Sequence, residues 1–420
     1  MQEKIIKHFI TLTKIPHCSE EADQLLLFLE TFAKERGYSV EIDETKNILI
    51  KKGRPKLAFQ AHYDMVCMGK APLIETVIEE GWMSAKESSL GADNGMAIAM
   101  MMELMEQGEA LEFLLTADEE IGLVGASALA FKLESSAMLN IDFEDEAEVC
   151  IGCAGGADLL ALKSFKESTS LSYNYKVSVT GLVGGHSGVD IDKGIPNAIK
   201  RLADYLSDKE VRISLFEGGE RRNSIPANAT AWLSSSEVLE STDGVKVEST
   251  EKELKVYESE NFLNLLVAFE DGVNSFNEEF NLPDTSINLA IVSFKGGEAS
   301  IELSARAMNA KGLTEICEKN MRLFAEYRFK GSEAYKYPAW KPEINTFTKR
   351  VNGAMMGVFG HSSYTAIHAG LECGVISEKY PHMQFASIGP TICYPHSTRE
   401  KVKLDSVGKI FRVIEKLLKP

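Results

Sequence analysis

The sequence predicts an α/β chain carrying a separate α+β domain in its middle. Three observations point there. Over the first third of the chain, apolar strand-like runs alternate with helical patterns, and several of those runs end in polar, ligand-type residues. Near Leu171 the patterning changes, and Tyr173 to Thr180 (YNYKVSVT) alternates in the way of a sheet with one exposed face. The proline-rich stretch Tyr337 to Pro342 (YPAWKP) then links back to a final apolar strand and helix. The expected domains are 1–170, 171–336 and 337–420.

Composition bounds the function. A chain of 420 residues, 44% hydrophobic and 25% charged, is long enough for two or three globular domains. A net charge of -17 disfavours nucleic acid and anionic membrane as partners. No span approaches transmembrane length, and MQEKIIKHFITLTKIP reads as an amphipathic helix (Ile5, Phe9, Ile10, Leu12) rather than a signal peptide. Seven scattered cysteines fit a reducing cytoplasm, with Cys150 and Cys153 as buried thiols.

Taken in order, Glu21 to Glu35 is a second helix, and Tyr38 to Ile42 and Asn47 to Lys51 are short strands. Leu57 to Ala61 is an apolar strand ending in His62-Tyr63-Asp64. Residues two apart on a strand share a face, so His62 can reach a cation while Asp64 either takes its other ring proton or touches the substrate pocket. Glycines flank Asp93 in a tight loop, and an apolar helix, Met96 to Met105, follows. Phe113-Leu114-Leu115 is a buried strand ending in Asp118-Glu119-Glu120. Adjacent side chains on extended backbone point opposite ways, so the two glutamates take different roles. Ala137 to Ile141 is a strand ending in Asp142. One acidic turn is unremarkable on a surface. Three strand endings and the Asp93 loop, all between His62 and Asp142, indicate convergence, because sites in open α/β sheets collect at the carboxyl ends of strands.

In the middle domain, GLVGGHSG (Gly181 to Gly188) presents His186 without the context of a phosphate loop. A helix is expected at Pro196 to Leu206, strands at Ala229 to Ser234, Ser286 to Phe294 and Ile301 to Met308, and helices at Asn261 to Phe269 and Leu313 to Tyr327. His396 lies in a loop before a last helix, Lys403 to Leu418. If His62, Asp93, Glu120, Asp142 and His396 converge, two imidazoles and three carboxylates suit zinc, cobalt or manganese. Five ligands exceed what one tetrahedral zinc needs. With Asp93 bridging, His62 and Asp142 serve one ion, and Glu120 and His396 the other. Glu119 remains to move a proton, His186 to donate to an oxyanion, and Arg306 to pair with a substrate carboxylate. The reaction class is metal-assisted hydrolysis of an amide.

The stretches AHYDMV, LGADNGMAIA, TADEEIGLVGA, LNIDFED, IGCAGG, GGHSGVDI, RNSIPANA, YPAWKP, IHAGLECGVI and SIGPTICYPHS resemble, in order, those of the M20 family of dinuclear zinc peptidases, and within it the aminoacyl-histidine (Xaa-His) dipeptidase branch. The resemblance implies a zinc-exopeptidase-like catalytic domain with a mixed central sheet, formed by both chain ends, and an inserted α+β lid. It implies His62, Asp93, Glu120, Asp142 and His396 as ligands of two Zn2+ ions (or Co2+ or Mn2+), Glu119 as general base, Asp64 as support for His62, and His186 as the lid histidine. Asn223, Arg306 and the backbone at Gly370 match positions that hold a substrate carboxylate, and the Asp93-Asn94 peptide bond is expected to be cis. Lys193-Gly194-Ile195-Pro196 and a shorter lid depart from the family pattern. The expected protein is a cytoplasmic, homodimeric dipeptidase acting on small unblocked peptides. The alternatives are a related N-acyl amino acid deacylase or tripeptidase, or a peptide-binding protein without catalysis.

Overall fold

The computed structural model describes residues 1–419. Two compact units emerge: Met1–Gly152 with Trp340–Ala366 and Leu371–Pro420, and Cys153–Ala339 with Ile367–Gly370.

The first unit centres on an eight-stranded sheet in the order Ser39–Ile42, Ile48–Lys51, Glu112–Thr116, Leu57–His62, Ala137–Asn140, Gln384–Ser387, Glu148–Cys153, Ser363–Ile367. Leu57–His62 runs parallel to both of its neighbours, and Ala137–Asn140 parallel to Gln384–Ser387. The outer pairings at Ile48–Lys51 and at Glu148–Cys153 are antiparallel. Leu57–His62 and Glu112–Thr116 are buried at every position, as strands covered on both faces must be. Among the helices are α1 (Gln2–Leu12), α2 (Asp23–Glu35) and α3 (Ala92–Gln107). Helix α3 is buried on nearly every side from Ala92 to Met105, which suits a helix apolar all round. A four-stranded sheet pairs the chain end with an early hairpin: Ile392–Cys393, Lys401–Lys403, Trp82–Ala85, Thr76–Glu79.

The second unit is an antiparallel sheet of eleven strands packed against the helices Ala198–Leu206, Glu260–Ala268 and Ala310–Glu326. Phe216, Phe262, Phe294 and Phe324 are completely buried in its core. The rings of Phe262 and Phe294 lie 5.0 Å apart.

Two expectations change. The units divide at Gly152–Cys153, earlier than the boundary expected near Leu171, so the ranges 1–170, 171–336 and 337–420 do not match them. The cause is the strand Gly155–Ser164, which pairs with Glu298–Ala307 on one side and Lys330–Tyr337 on the other. Its opening glycines look loop-like in sequence, yet a Cβ at Gly156 would lie 2.5 Å from the Tyr337 ring. The second change concerns the cysteines. Cys150 and Cys153 are buried as expected, but Cys18 and Cys67 form a disulfide with Cα atoms 5.5 Å apart. Their separation in the chain hides the pairing from a reading of spacing.

Candidate active site

Three adjacent parallel strands deliver the acidic cluster. His62 ends one strand, Glu119 and Glu120 follow the strand ending at Thr116, and Asp142 follows the strand ending at Asn140. Asp93 comes from the irregular start of α3, where its φ/ψ of -84/105° is not helical, and the Asp93-Asn94 bond is cis. His396 arrives on the loop between the two C-terminal strands of the four-stranded sheet.

The five residues expected as ligands come together. Asp93 Oδ1 is 3.1 Å from His62 Nε2, and its Oδ2 is 3.0 Å from His396 Nε2. Asp142 Oδ1 lies 3.4 Å from the same His62 nitrogen, and Glu120 Oε2 lies 2.9 Å from His396. His62, Asp93 and Asp142 therefore form one ligand group, and Asp93, Glu120 and His396 another. Asp93 is common to both and offers one oxygen to each. Glu119 groups with His62 and Glu120 and is absent from the His396 group. The His62 side chain is 1% exposed and that of His396 40%, so the cluster opens on the His396 side.

Asp64 faces the second ring nitrogen of His62 with both its backbone carbonyl and its carboxylate. The His62 Nδ1 is 3.0 Å from the backbone carbonyl of Asp64 and 3.5 Å from its carboxylate. The carboxylate also accepts from Ser19 Oγ at 2.7 Å and from the backbone N–H groups of Glu119 and Glu120 at 3.0 and 3.4 Å. Asp64 thus fixes both the imidazole and the Glu-Glu turn. The Cys18–Cys67 bond lies one residue before Ser19 and three after Asp64, at the same junction.

The electrostatics ask for positive charge. Burial, reinforced by Asp93, pushes the Glu120 carboxyl up to about 7, and burial lifts those of Glu119 and Asp142 above the ordinary range as well. Burial disfavours charge on His396, but Asp93 and Glu120 outweigh it and push the imidazole up to about 12. Burial also opposes the charge of Asp93, and the two histidines overcome it and lower its carboxyl. Glu120 Oε1 is buried with no hydrogen bond. A shared carboxylate, two imidazoles, two further carboxylates and an unmatched oxygen fit a pair of divalent cations.

Several supporting residues went unnoticed in the sequence. The Glu400 carboxylate accepts the backbone N–H groups of Leu90 and Ala92 at 2.7 Å, Gly91 at 3.0 Å and Asp93 at 3.3 Å, fixing the loop that aims Asp93. Asn94 Nδ2 bonds to Ile141 O at 3.0 Å and to the Asp142 carboxylate. Beneath the cluster, Gln60 Nε2 donates to Thr116 Oγ1 at 3.1 Å and to Glu372 Oε2 at 2.5 Å, and Asn140 donates to Gln60 Oε1 at 2.5 Å. Polar residues inside otherwise apolar strands, Gln60 and Asn140, were the available signal, since buried polar groups require partners. Glu400→Gln is expected to weaken zinc binding about 10–100-fold, as losses behind a ligand do. Competition with a chromophoric chelator measures it, and unchanged affinity removes Glu400 from this role.

His186, Asn223, Arg306 and Gly370 belong to the second unit. His186 pairs with Ser224 in a two-stranded ribbon, and Asn223 O accepts from Ser187 N at 2.8 Å. His186 Nδ1 accepts the N–H groups of Gly188 and Val189, both at 3.2 Å. A neutral ring so held carries its proton on Nε2. Arg306, 7% exposed, donates to Tyr337 Oη at 2.9 Å, while its Nε is buried without a partner. A Cβ on Gly370 would meet the Tyr337 ring at 2.9 Å, and His368 Nε2 is 2.7 Å from Ser286 Oγ. Tyr337, His368 and Ser286 therefore join Arg306 and Gly370; Tyr337 and His368 lie in the stretches YPAWKP and IHAGLECGVI, but no site role was read for them in the sequence.

The chain is 32% identical to the cytosol non-specific dipeptidase of Escherichia coli, across 98% of this chain and 96% of that protein. Its structure is similar to that of an aminoacylhistidine dipeptidase from Vibrio alginolyticus, with a TM-score of 0.81, 29% identity, and coverage of 99% and 96% of the two chains. A tripeptidase from Staphylococcus aureus shares the fold at 16% identity and a TM-score of 0.62, over 100% and 98% of the chains. The sequence profile of peptidase family M20/M25/M40 matches residues 58–419, from the strand that carries His62 through the loop that carries His396, and this chain belongs to that family.

Proposed function

We propose that this protein is a metal-dependent dipeptidase that hydrolyses short unblocked peptides, using Glu119 as its proton shuttle. The observation that carries the reading is Asp93 set between His62 and His396, with Asp142 and Glu120 completing two ligand groups around it. His62, Asp93 and Asp142 would hold one ion, and Asp93, Glu120 and His396 the other. Such ions supply polarisation of the scissile carbonyl and a lowered pKa for water. Zinc suits this nitrogen and oxygen donor set, and cobalt and manganese are the alternatives.

Each remaining step belongs to the chain's own residues. Glu119 accepts a proton from water and returns it to the leaving amine. Asp64 holds the turn that positions it. His186, with its proton on Nε2, donates to the oxyanion that forms. Arg306, with a buried unpartnered Nε, receives the substrate carboxylate together with Asn223 and the Gly370 backbone. The names of the Escherichia coli and Vibrio alginolyticus relatives support dipeptides as the substrate class, Xaa-His peptides among them, with broad side-chain acceptance. The cytosolic relative supports a cytoplasmic location. Among the described residues no helix is long and apolar enough to cross a membrane.

The test is a substrate panel run on chelator-treated and zinc-reloaded protein. Free dipeptides are expected to be cleaved only after reloading, and N-acetyl amino acids to be left intact. The reverse preference would establish a deacylase, and peptide binding without turnover a non-catalytic protein. On the same panel, Arg306→Ala is expected to raise KM roughly 10–100-fold for substrates with a free carboxylate, the worth of a charge-assisted hydrogen bond. An unchanged KM places Arg306 outside the pocket.

A further inference from the structure

At the far end of α3 from Asp93, a second group of ligand-type side chains lies where no step of peptide hydrolysis uses it. His8 on α1 and Glu103 and Glu106 on α3 bring one ligand atom each to within 4.8 Å of one another. The helical rise puts Glu103 roughly 15 Å along α3 from Asp93. His8 Nε2 is 3.7 Å from Glu103 Oε2 and 3.7 Å from Glu106 Oε2. Atoms bound at zinc distances around a tetrahedral ion lie about 3.3–3.6 Å apart, so the spacing is close to that of a ligand set.

The surroundings point the same way. The Glu103 side chain is 1% exposed, and its Oε2 is buried without a hydrogen bond. His8 Nε2, facing it, is also buried without one. Buried carboxylate oxygens are ordinarily matched by a donor or a cation. The other oxygens are served from outside: Glu103 Oε1 accepts from Gln107 at 3.1 Å and faces Lys4 Nζ at 3.7 Å, and Glu106 Oε1 pairs with Arg36 at 3.1 Å. Lys4 and Arg36 make a plain ion-pair network the competing explanation, but they approach the outer oxygens and leave the two inner ones facing the imidazole. Both glutamates sit in the last turns of α3, where the helix dipole favours a cation.

We infer that His8, Glu103 and Glu106 form a divalent-cation site separate from the catalytic cluster, of a chemistry suited to zinc, cobalt or manganese, that clamps α1 onto α3. Water completes its coordination. The site touches no substrate, so its effect is on the anchoring of the N-terminal helix.

The test counts zinc. The full chain, His8→Ala and Glu106→Gln are stripped with a chelator, re-equilibrated with zinc chloride, and analysed by mass spectrometry for metal per chain. Each variant is expected to hold one equivalent less than the unsubstituted chain while keeping dipeptidase activity within about twofold, because neither residue lies in the catalytic cluster. The difference between chains is what is read, so the result stands whatever the catalytic cluster holds. Equal zinc content in the unsubstituted chain and in folded Glu106→Gln overturns the inference and leaves the ion-pair network alone. Glu106 is 33% exposed in its side chain, so that variant decides the matter even if His8→Ala fails to fold.

Discussion

Glu119→Gln is expected to lower kcat by roughly 10²–10⁴-fold, the usual worth of general acid–base catalysis, with no change in metal content. The substitution keeps the size of the side chain and removes its ability to take a proton. The turn around it does not depend on the Glu119 carboxylate, since Asp64 grips the backbone N–H groups of Glu119 and Glu120. Glu119 also stands outside the ligand group of Asp93, Glu120 and His396. Kinetics on a dipeptide together with metal analysis of the same preparation decide the role. Loss of metal along with activity would falsify the division of labour between the two glutamates.

Asp93→Ala is expected to lose at least one metal equivalent and to reduce kcat/KM by roughly 10³-fold, because a bound cation contributes several kcal/mol of charge stabilisation in the transition state. Asp93 offers one oxygen toward His62 and the other toward His396, so no neighbour can replace it in both directions. Glu400 cannot substitute either, since its carboxylate is occupied by the backbone from Leu90 to Asp93. Two equivalents retained in the variant would mean that the ions do not share this residue.

The sequence revealed the parts of this site that lie at strand ends. An apolar run that stops at a histidine or an acid is a local signal, and His62, Glu119, Glu120 and Asp142 each follow one. The buried parallel strands and the nearly all-apolar α3 were legible for the same reason. Less legible were features produced by residues far apart in the chain. Glu400 reaches back to the Leu90–Asp93 loop, and Cys18 meets Cys67 only because the segment after α1 runs beside the end of the Leu57–His62 strand. The reading of the domain boundary rested on the alternation from Tyr173 and made no use of the glycines before it. In Gly155–Ser164 they make room for Tyr337 inside a sheet, where composition alone suggests a loop. Asp64 shows a finer limit: period-two geometry placed it beside His62, but its carboxylate is directed by Ser19 and the Glu-Glu turn, neither of which the strand pattern contains.

Anomalous diffraction from crystals of the full chain grown with zinc tests the central claim most directly. Two peaks are expected in the catalytic cluster, one contacted by His62 and Asp142, the other by Glu120 and His396, with Asp93 touching both. A single peak there, or a pair in which Asp93 contacts only one, would contradict the shared-carboxylate centre on which the proposed chemistry rests.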